Sequence, residues 1–199
     1  MVKIISFEGG IGVGKTSLTN YFSYKLKMGK ILEKYDINPF LKEFYEGDLN
    51  INLETEFTFL LIHYSQLKKL IKNNQKSFIL ADFSIEKDLV YAKLNLNKQE
   101  LSLFEKVYNY VINEVGLPKV VIYLDLSLKI LKRIIFQRGR TYEINADPKY
   151  FKDFNDKIGE YFKNESKSKV YFINVDELVL DPDNRKLQKI RDIIVDVIK

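Results

Sequence analysis

Residues Gly9 to Thr16, "GGIGVGKT", fit the pattern G-x-x-x-x-G-K-[ST] in full, between the apolar run "KIISF" at 3–7 and an amphipathic run that begins at Lys15. A turn so poor in side chains adds little to a core, so its use is to bring bare backbone close to a ligand. Cβ atoms would block that approach. Backbone N–H groups and the positive end of the following helix can then surround a chain of phosphates. The order strand, glycine turn, helix is the context in which this pattern binds a nucleoside triphosphate. Gly9, Gly10, Ile11, Gly12, Val13, Gly14, Lys15, Thr16 and Ser17 are therefore expected to bind ATP. Within that set the Lys15 ammonium would lie on the β- and γ-phosphates and the Thr16 hydroxyl on a Mg²⁺ ion.

The rest of the chain suits such a loop. Apolar runs of strand length recur at 76–81, 119–124 and 169–175, with a short one, "KILEKY", at 30–35. Segments of helical spacing lie between them, at 15–28, 39–46, 53–73, 85–94, 98–115, 127–137, 148–163 and 183–198. This alternation predicts an α/β fold, a five-stranded parallel sheet flanked by helices. Asn38-Pro39 and Asp147-Pro148 each place a capping side chain before a first-turn proline, and Gly29 and Gly116 are expected to stop helices.

At 199 residues and 46% hydrophobic content the chain can build one well-buried core, so a single domain over 1–199 is expected. No apolar run approaches a membrane span, and "VKIISF" is too short and wrongly flanked for a signal peptide. Zero cysteines exclude disulfides and thiolate metal sites. Together these predict a cytoplasmic protein without a membrane partner. The net charge of +5 arises from 32 basic and 27 acidic residues scattered without a basic stripe, which argues against nucleic acid.

Later residues select the reaction. "SFILAD" ends a strand in Asp82, where an acid can face Mg²⁺ beside the phosphate loop. Glu33 closes the short strand "KILE", an edge from which a carboxylate can take a proton from an attacking hydroxyl. "KRIIFQRGRTYE" sets Arg133, Arg138 and Arg140 at a helix end, followed by Glu143. With a triphosphate loop upstream, this reads as a lid at about 137–146 whose guanidiniums fold over the phosphates and exclude water.

In the order "FEGGIGVGKTSL", "EKYDINPFLKEFY", "ETEFTFLLIHYSQLKK", "DFSIEKDLVYAKLNL" and "YLDLSLKILKRIIFQRGRTYE", the chain resembles the deoxynucleoside kinase family along nearly its whole length. The resemblance implies ATP-dependent phosphorylation of a deoxynucleoside 5′-hydroxyl. It implies that Glu33 is the general base and that Tyr45 and Glu143 hold the sugar 3′-hydroxyl. Asp82 falls on the acid of the family's acidic-Arg-Ser motif, and Arg138 and Arg140 fall on its lid arginines. A homodimer through helices 53–73 and 98–115 is also implied.

Three departures stand out. Phe83 occupies the place of the arginine after the motif acid, so a cation is missing or comes from elsewhere; Arg133 is one position off the usual spacing. In the base pocket, the family's glutamine falls on Glu56, its partner arginine on His63, and a third position on Asp88. An ionised carboxylate only accepts hydrogen bonds, which matches guanine N1–H and N2–H₂, whereas a protonated Glu56 would serve adenine. Phe40, Phe57 and Phe59 are candidates to stack on a base or simply to fill the core. Two other readings remain open at this point: a nucleoside monophosphate kinase of the thymidylate kinase type, and a nucleotide-binding regulator without kinase activity.

Overall fold

The computed structural model describes residues 3–73, 78–127, 130, 148–176, 178 and 180–199, with 148–152 as backbone only. Five strands form one wholly parallel sheet: β1 (Lys3–Gly9), β2 (Gly29–Ile31), β3 (Phe78–Ala81), β4 (Val120–Asp125) and β5 (Lys169–Asn174). Their order is β2-β3-β1-β4-β5, so β3 is inserted between the first two strands of the chain. The helices are α1 (Lys15–Lys25), α2 (Leu41–Tyr45), α3 (Asn52–Lys72), α4 (Glu86–Asn95), α5 (Lys98–Val115), α6 (Pro148–Asn164) and α7 (Arg185–Ile198).

The strands are almost continuously apolar because both sheet faces are covered. Successive residues point to opposite sides: Ile5, Leu80 and Ile122 pack with Phe22 of α1 and Ile190 of α7. Ile4, Ile79 and Ala81 pack with Leu60 of α3 and Phe104 of α5, and Val121 and Tyr123 pack with Phe154 and Ile158 of α6. Each such large side chain taken fully from water contributes roughly 1.5–3 kcal/mol before entropy is counted.

Several element ends differ from the sequence reading. Helix α1 stops at Lys25 rather than near 28, and the chain turns through Lys27 at φ 51°, so Gly29 opens β2 and does not end the helix. Asn38 caps no helix. Its amide Oδ1 accepts from Phe40 N at 3.1 Å and its Nδ2 donates to Thr55 O at 3.1 Å, which delays α2 to Leu41. Strand β2 ends at Ile31, leaving Glu33 two residues beyond it. Gly116, at φ 76°, does end α5, and that helix opens with a capping box between Asn97 and Glu100. The expected helix at 127–137 and the lid at 137–146 fall almost wholly outside the described residues, and Asp147 does so entirely.

Candidate active site

The glycine turn joins β1 to α1 at the carboxyl edge of the sheet. Gly9 sits at φ 141°, and a Cβ there would lie 2.4 Å from the Leu124 carbonyl oxygen of β4. Only glycine lets the loop leave the sheet this close to its neighbour. Gly14, at φ 93°, occupies the N-cap of α1, so the first N–H groups of that helix are left to the loop. Lys15 folds back over the turn, its Nζ donating to Gly9 O at 2.8 Å and Gly10 O at 2.9 Å. Burial pulls its ammonium below the usual lysine range.

Asp82 couples this loop to the segment that follows β2. Its Oδ2 accepts from the Thr16 hydroxyl at 2.6 Å and its Oδ1 from the backbone N–H of Glu33 at 2.7 Å. The second contact draws the chain off β2 and aims Glu33 into the space beyond β3. Inserting β3 between β1 and β2 is what allows one carboxylate to touch both sides.

Glu33 is held by two cations, both on Oε1: Lys87 Nζ at 2.5 Å and His63 Nε2 at 3.1 Å. His63 is fully buried, and its Nδ1 lies 2.8 and 2.9 Å from the two Asp88 oxygens. Burial alone would push the imidazole down, but the Asp88 and Glu33 carboxylates outweigh it and raise its pKa to about 9. Both ring nitrogens therefore donate. Burial opposes ionisation of Glu33 too, yet Lys87 and His63 hold its carboxyl well below the usual carboxylate range. Lys87 is likewise held charged, above the ordinary lysine value, by Glu33, Glu8 and Asp88 against the cost of burial. Phe83 stacks on His63 with ring centroids 4.4 Å apart, closing the far side of the imidazole.

These groups border a cleft of about 360 Å³. Ile11 to Ser17 line its one end; Glu33, Asp82 and Lys87 stand at its middle; Tyr45, Glu56, Phe59, Asp88 and Tyr91 line the other. At that far end Glu56 Oε1 accepts from Asn95 Nδ2 at 2.7 Å. Burial pushes the Glu56 carboxyl up to about 8, and Asp88 adds to the rise. Beneath the loop, buried Glu8 accepts from Ser84 N at 2.5 Å and Gly9 N at 3.2 Å, and burial raises its pKa to about 7.

Among the residues singled out in the sequence, the structure thus gathers Ile11 to Ser17, Glu33, Tyr45, Glu56, Asp82 and Asp88 around one cleft. Gly9 and Gly10 lie behind it, under the Lys15 ammonium. His63 is not in the cleft lining; it backs Glu33 and Asp88. Phe59 lines the cleft, while Phe57 packs on Phe104 in the core, centroids 5.3 Å apart. Arg133, Arg138, Arg140 and Glu143 lie outside the described residues. Lys87, Glu8, Asn95 and Tyr91 were not foreseen. The phenylalanine at 83 was the signal for Lys87, since a site full of carboxylates needs a cation from somewhere.

Among the described residues, no group of three or more His, Asp or Glu side chains is arranged to hold a metal unaided. The Thr16 hydroxyl and Asp82 carboxylate are hard oxygen donors at the mouth of the phosphate loop. That pair fits an ion such as Mg²⁺, which takes few protein ligands and is otherwise bound by phosphates and water.

Residues 5–199 match the family described as deoxynucleoside kinase. The chain is 31% identical over 150 residues to a deoxyguanosine kinase of Bacillus subtilis, covering 73% of this chain and 72% of that protein. It is 26% identical over 203 residues to a deoxyadenosine/deoxycytidine kinase of the same organism, covering 98% and 93%. Among solved structures, deoxyadenosine kinase from M. mycoides with the products dCMP and dCDP superposes with a TM-score of 0.81 at 22% identity, over 98% of this chain and 99% of the other. The same enzyme with bound dATP gives 0.80, over 96% and 99%. At that identity the likeness carries the fold.

Proposed function

Because the chain belongs to the deoxynucleoside kinase family, whose members phosphorylate a nucleoside hydroxyl, we propose that Glu33 receives a purine deoxynucleoside whose 5′-hydroxyl takes the γ-phosphoryl group of ATP. The observation that carries the reading is the Asp82 carboxylate, which ties Thr16 of the phosphate loop to the backbone of Glu33 within one cleft.

In this mechanism the loop N–H groups and Lys15 hold the triphosphate, Lys15 leaving its loop carbonyls for the phosphates. Thr16 and Asp82 would hold Mg²⁺, which when bound supplies charge neutralisation on the phosphates. Glu33 accepts a hydrogen bond from the 5′-hydroxyl and orients it in line with the phosphorus. With its carboxyl held so far below neutrality, Glu33 is a weak base. It takes the proton late, as bonding to phosphorus acidifies the hydroxyl in a loose transition state. Orientation is thus its larger contribution. Tyr45, at the cleft's far side, is assigned to the sugar. Arg138, Arg140 and Glu143 enter the proposal, as lid and sugar contacts, on sequence grounds alone.

The purine leaning follows the deoxyguanosine kinase among the relatives, and Glu56 bears on the choice of base. Near neutral pH its buried carboxyl is largely protonated, and a carboxylic acid offers one donor and one acceptor, as adenine and cytosine both require. Guanine, with two N–H donors, would favour the ionised form and pull its pKa down on binding. The cytoplasm, a role in nucleotide salvage, and a homodimer complete the proposal; exposed Leu61 on α3 and Leu103 and Tyr110 on α5 support a partner on those helices. Among the described residues, the cleft's Lys87 is already neutralised by Glu33, which leaves it no spare charge for a monophosphate acceptor.

The test is monophosphate formation from each of the four deoxynucleosides with Mg-ATP, for the wild type and Glu33→Ala. Turnover of a purine deoxynucleoside is expected, with kcat lower by about 10²–10⁴ in the variant and ATP binding retained. Full activity of Glu33→Ala would refute its role.

A further inference from the structure

Glu33 lies in a stretch without regular structure, from Leu32 to Lys34, yet in-line attack needs its carboxylate fixed to a fraction of an ångström. What fixes it is on another element. Lys87 is in the first turn of α4, 7% exposed, and its Nζ meets Glu33 Oε1 at 2.5 Å. The turn that carries it is anchored on every side. Ser84 N donates to Glu8 at 2.5 Å, and Lys87 N donates to Ser84 O at 3.1 Å. Glu86, fully buried, accepts from Ser166 Oγ, Lys167 N and Ser168 Oγ at 2.9, 3.1 and 2.7 Å. Asp88 is locked to His63. A lysine flanked by two such residues has little freedom left, so the usual entropy cost of a long side chain is already met by the fold.

The charges agree with the geometry. Four buried or half-buried carboxylates lie in or behind the cleft: Glu33, Asp82 and Asp88 in its lining and Glu8 beneath the loop. Lys15 is occupied with the loop carbonyls, and His63 stands behind the cleft, against Glu33 and Asp88. Lys87 is the cation, among the described residues, that both contacts Glu33 and lines the cleft.

We propose that Lys87 is a positioning residue for phosphoryl transfer: from the rigid start of α4 it clamps Glu33 Oε1, so that Oε2 is the oxygen presented to the acceptor hydroxyl. With His63 on the same oxygen from the other side, the carboxylate plane is fixed by two donors, and Phe83 keeps the imidazole from tilting away. This rests on the kinase reading above.

The experiment compares wild type, Lys87→Met, Lys87→Gln, Lys87→Arg, Glu33→Gln and the double variant Lys87→Met/Glu33→Gln. It measures kcat, KM for ATP and deoxynucleoside, and ATP binding as a check of the folded loop. Lys87→Met is expected to lower kcat about 10²-fold with KM for ATP within about twofold of wild type, and Lys87→Arg to recover most of the loss. In the Glu33→Gln background, removing Lys87 should cost less than about threefold, because the group it positions is gone. If Lys87→Met loses ATP binding, Lys87→Gln, which keeps a polar end without the charge, carries the same reading. A variant without the charge that binds ATP and keeps kcat within about threefold of wild type would overturn the proposal, as would an equal loss with and without Glu33. A wild type that phosphorylates no deoxynucleoside sinks the kinase reading itself; an active wild type indifferent to Lys87 sinks this proposal alone.

Discussion

Glu56→Gln should stabilise the protein at neutral pH and narrow its choice of base at once. Glu56 is 2% exposed, and burial raises its carboxyl from the ordinary 4.5 to about 8. Between those values the folded chain holds a proton that the unfolded chain has released. The stability due to this carboxyl is therefore complete below about 4.5 and is lost as pH rises towards about 8. At pH 7 the loss is about 3 kcal/mol, from roughly 1.4 kcal/mol per pH unit over the interval above the unfolded value. Glutamine keeps the shape and the contact with Asn95 but has no proton to hold. The variant should thus melt roughly 6–12 °C above wild type at pH 7, taking about 2–4 °C per kcal/mol. At pH 5 the gap should shrink to roughly 2–3 °C, since the loss there is below about 1 kcal/mol. Thermal unfolding of both proteins at the two pH values reads this directly. A gap that does not change with pH would refute the argument. In the kinetic arm, glutamine retains one donor and one acceptor for adenine but cannot offer guanine two acceptors. The ratio of kcat/KM for deoxyguanosine over deoxyadenosine should fall at least about tenfold.

Two further outcomes test the scaffold beneath the site. Gly9→Ala should destabilise by about 2–4 kcal/mol, because φ 141° and a Cβ at 2.4 Å from the Leu124 carbonyl leave no relaxed solution; a urea midpoint unchanged from wild type would contradict it. Glu86→Ala removes a fully buried carboxylate that accepts from Lys167 N–H and two half-buried serine hydroxyls and should cost about 1–2 kcal/mol, also measured in urea, whereas a loss under about 0.5 kcal/mol would show that water replaces the carboxylate.

The phosphate loop, the strand-end acid at 82 and the parallel sheet were legible because each rests on local chemistry: bare backbone, a run of apolar residues, an acid where the run stops. Glu33 was legible as a carboxylate near an edge, but its true place was not, because β2 has one neighbour and ends when Asp82 captures its next free N–H. Lys87 reads in sequence as one charge among "EKD" at a helix start, the composition of a solvated first turn. Only the packing of α4 against α3, α5 and α6 buries it, and packing between distant segments leaves no local mark. The same holds for His63. The resemblance put it in the base pocket, and in the structure it is fully buried behind Glu33 and Asp88. Asn38 failed as a helix cap for a related reason: Thr55, seventeen residues away, accepts from its Nδ2 and holds the side chain where Oδ1 meets Phe40 N, ahead of α2.

Placing β3 between β1 and β2 makes the sheet a ruler. Two strand spacings, about 10 Å, separate the ends of β1 and β2 from which the glycine turn and the Glu33 segment leave, and Asp82 at the end of β3 bridges them. Segments beyond the carboxyl edge can therefore vary in length and residue while the spacing of those two strand ends stays constant.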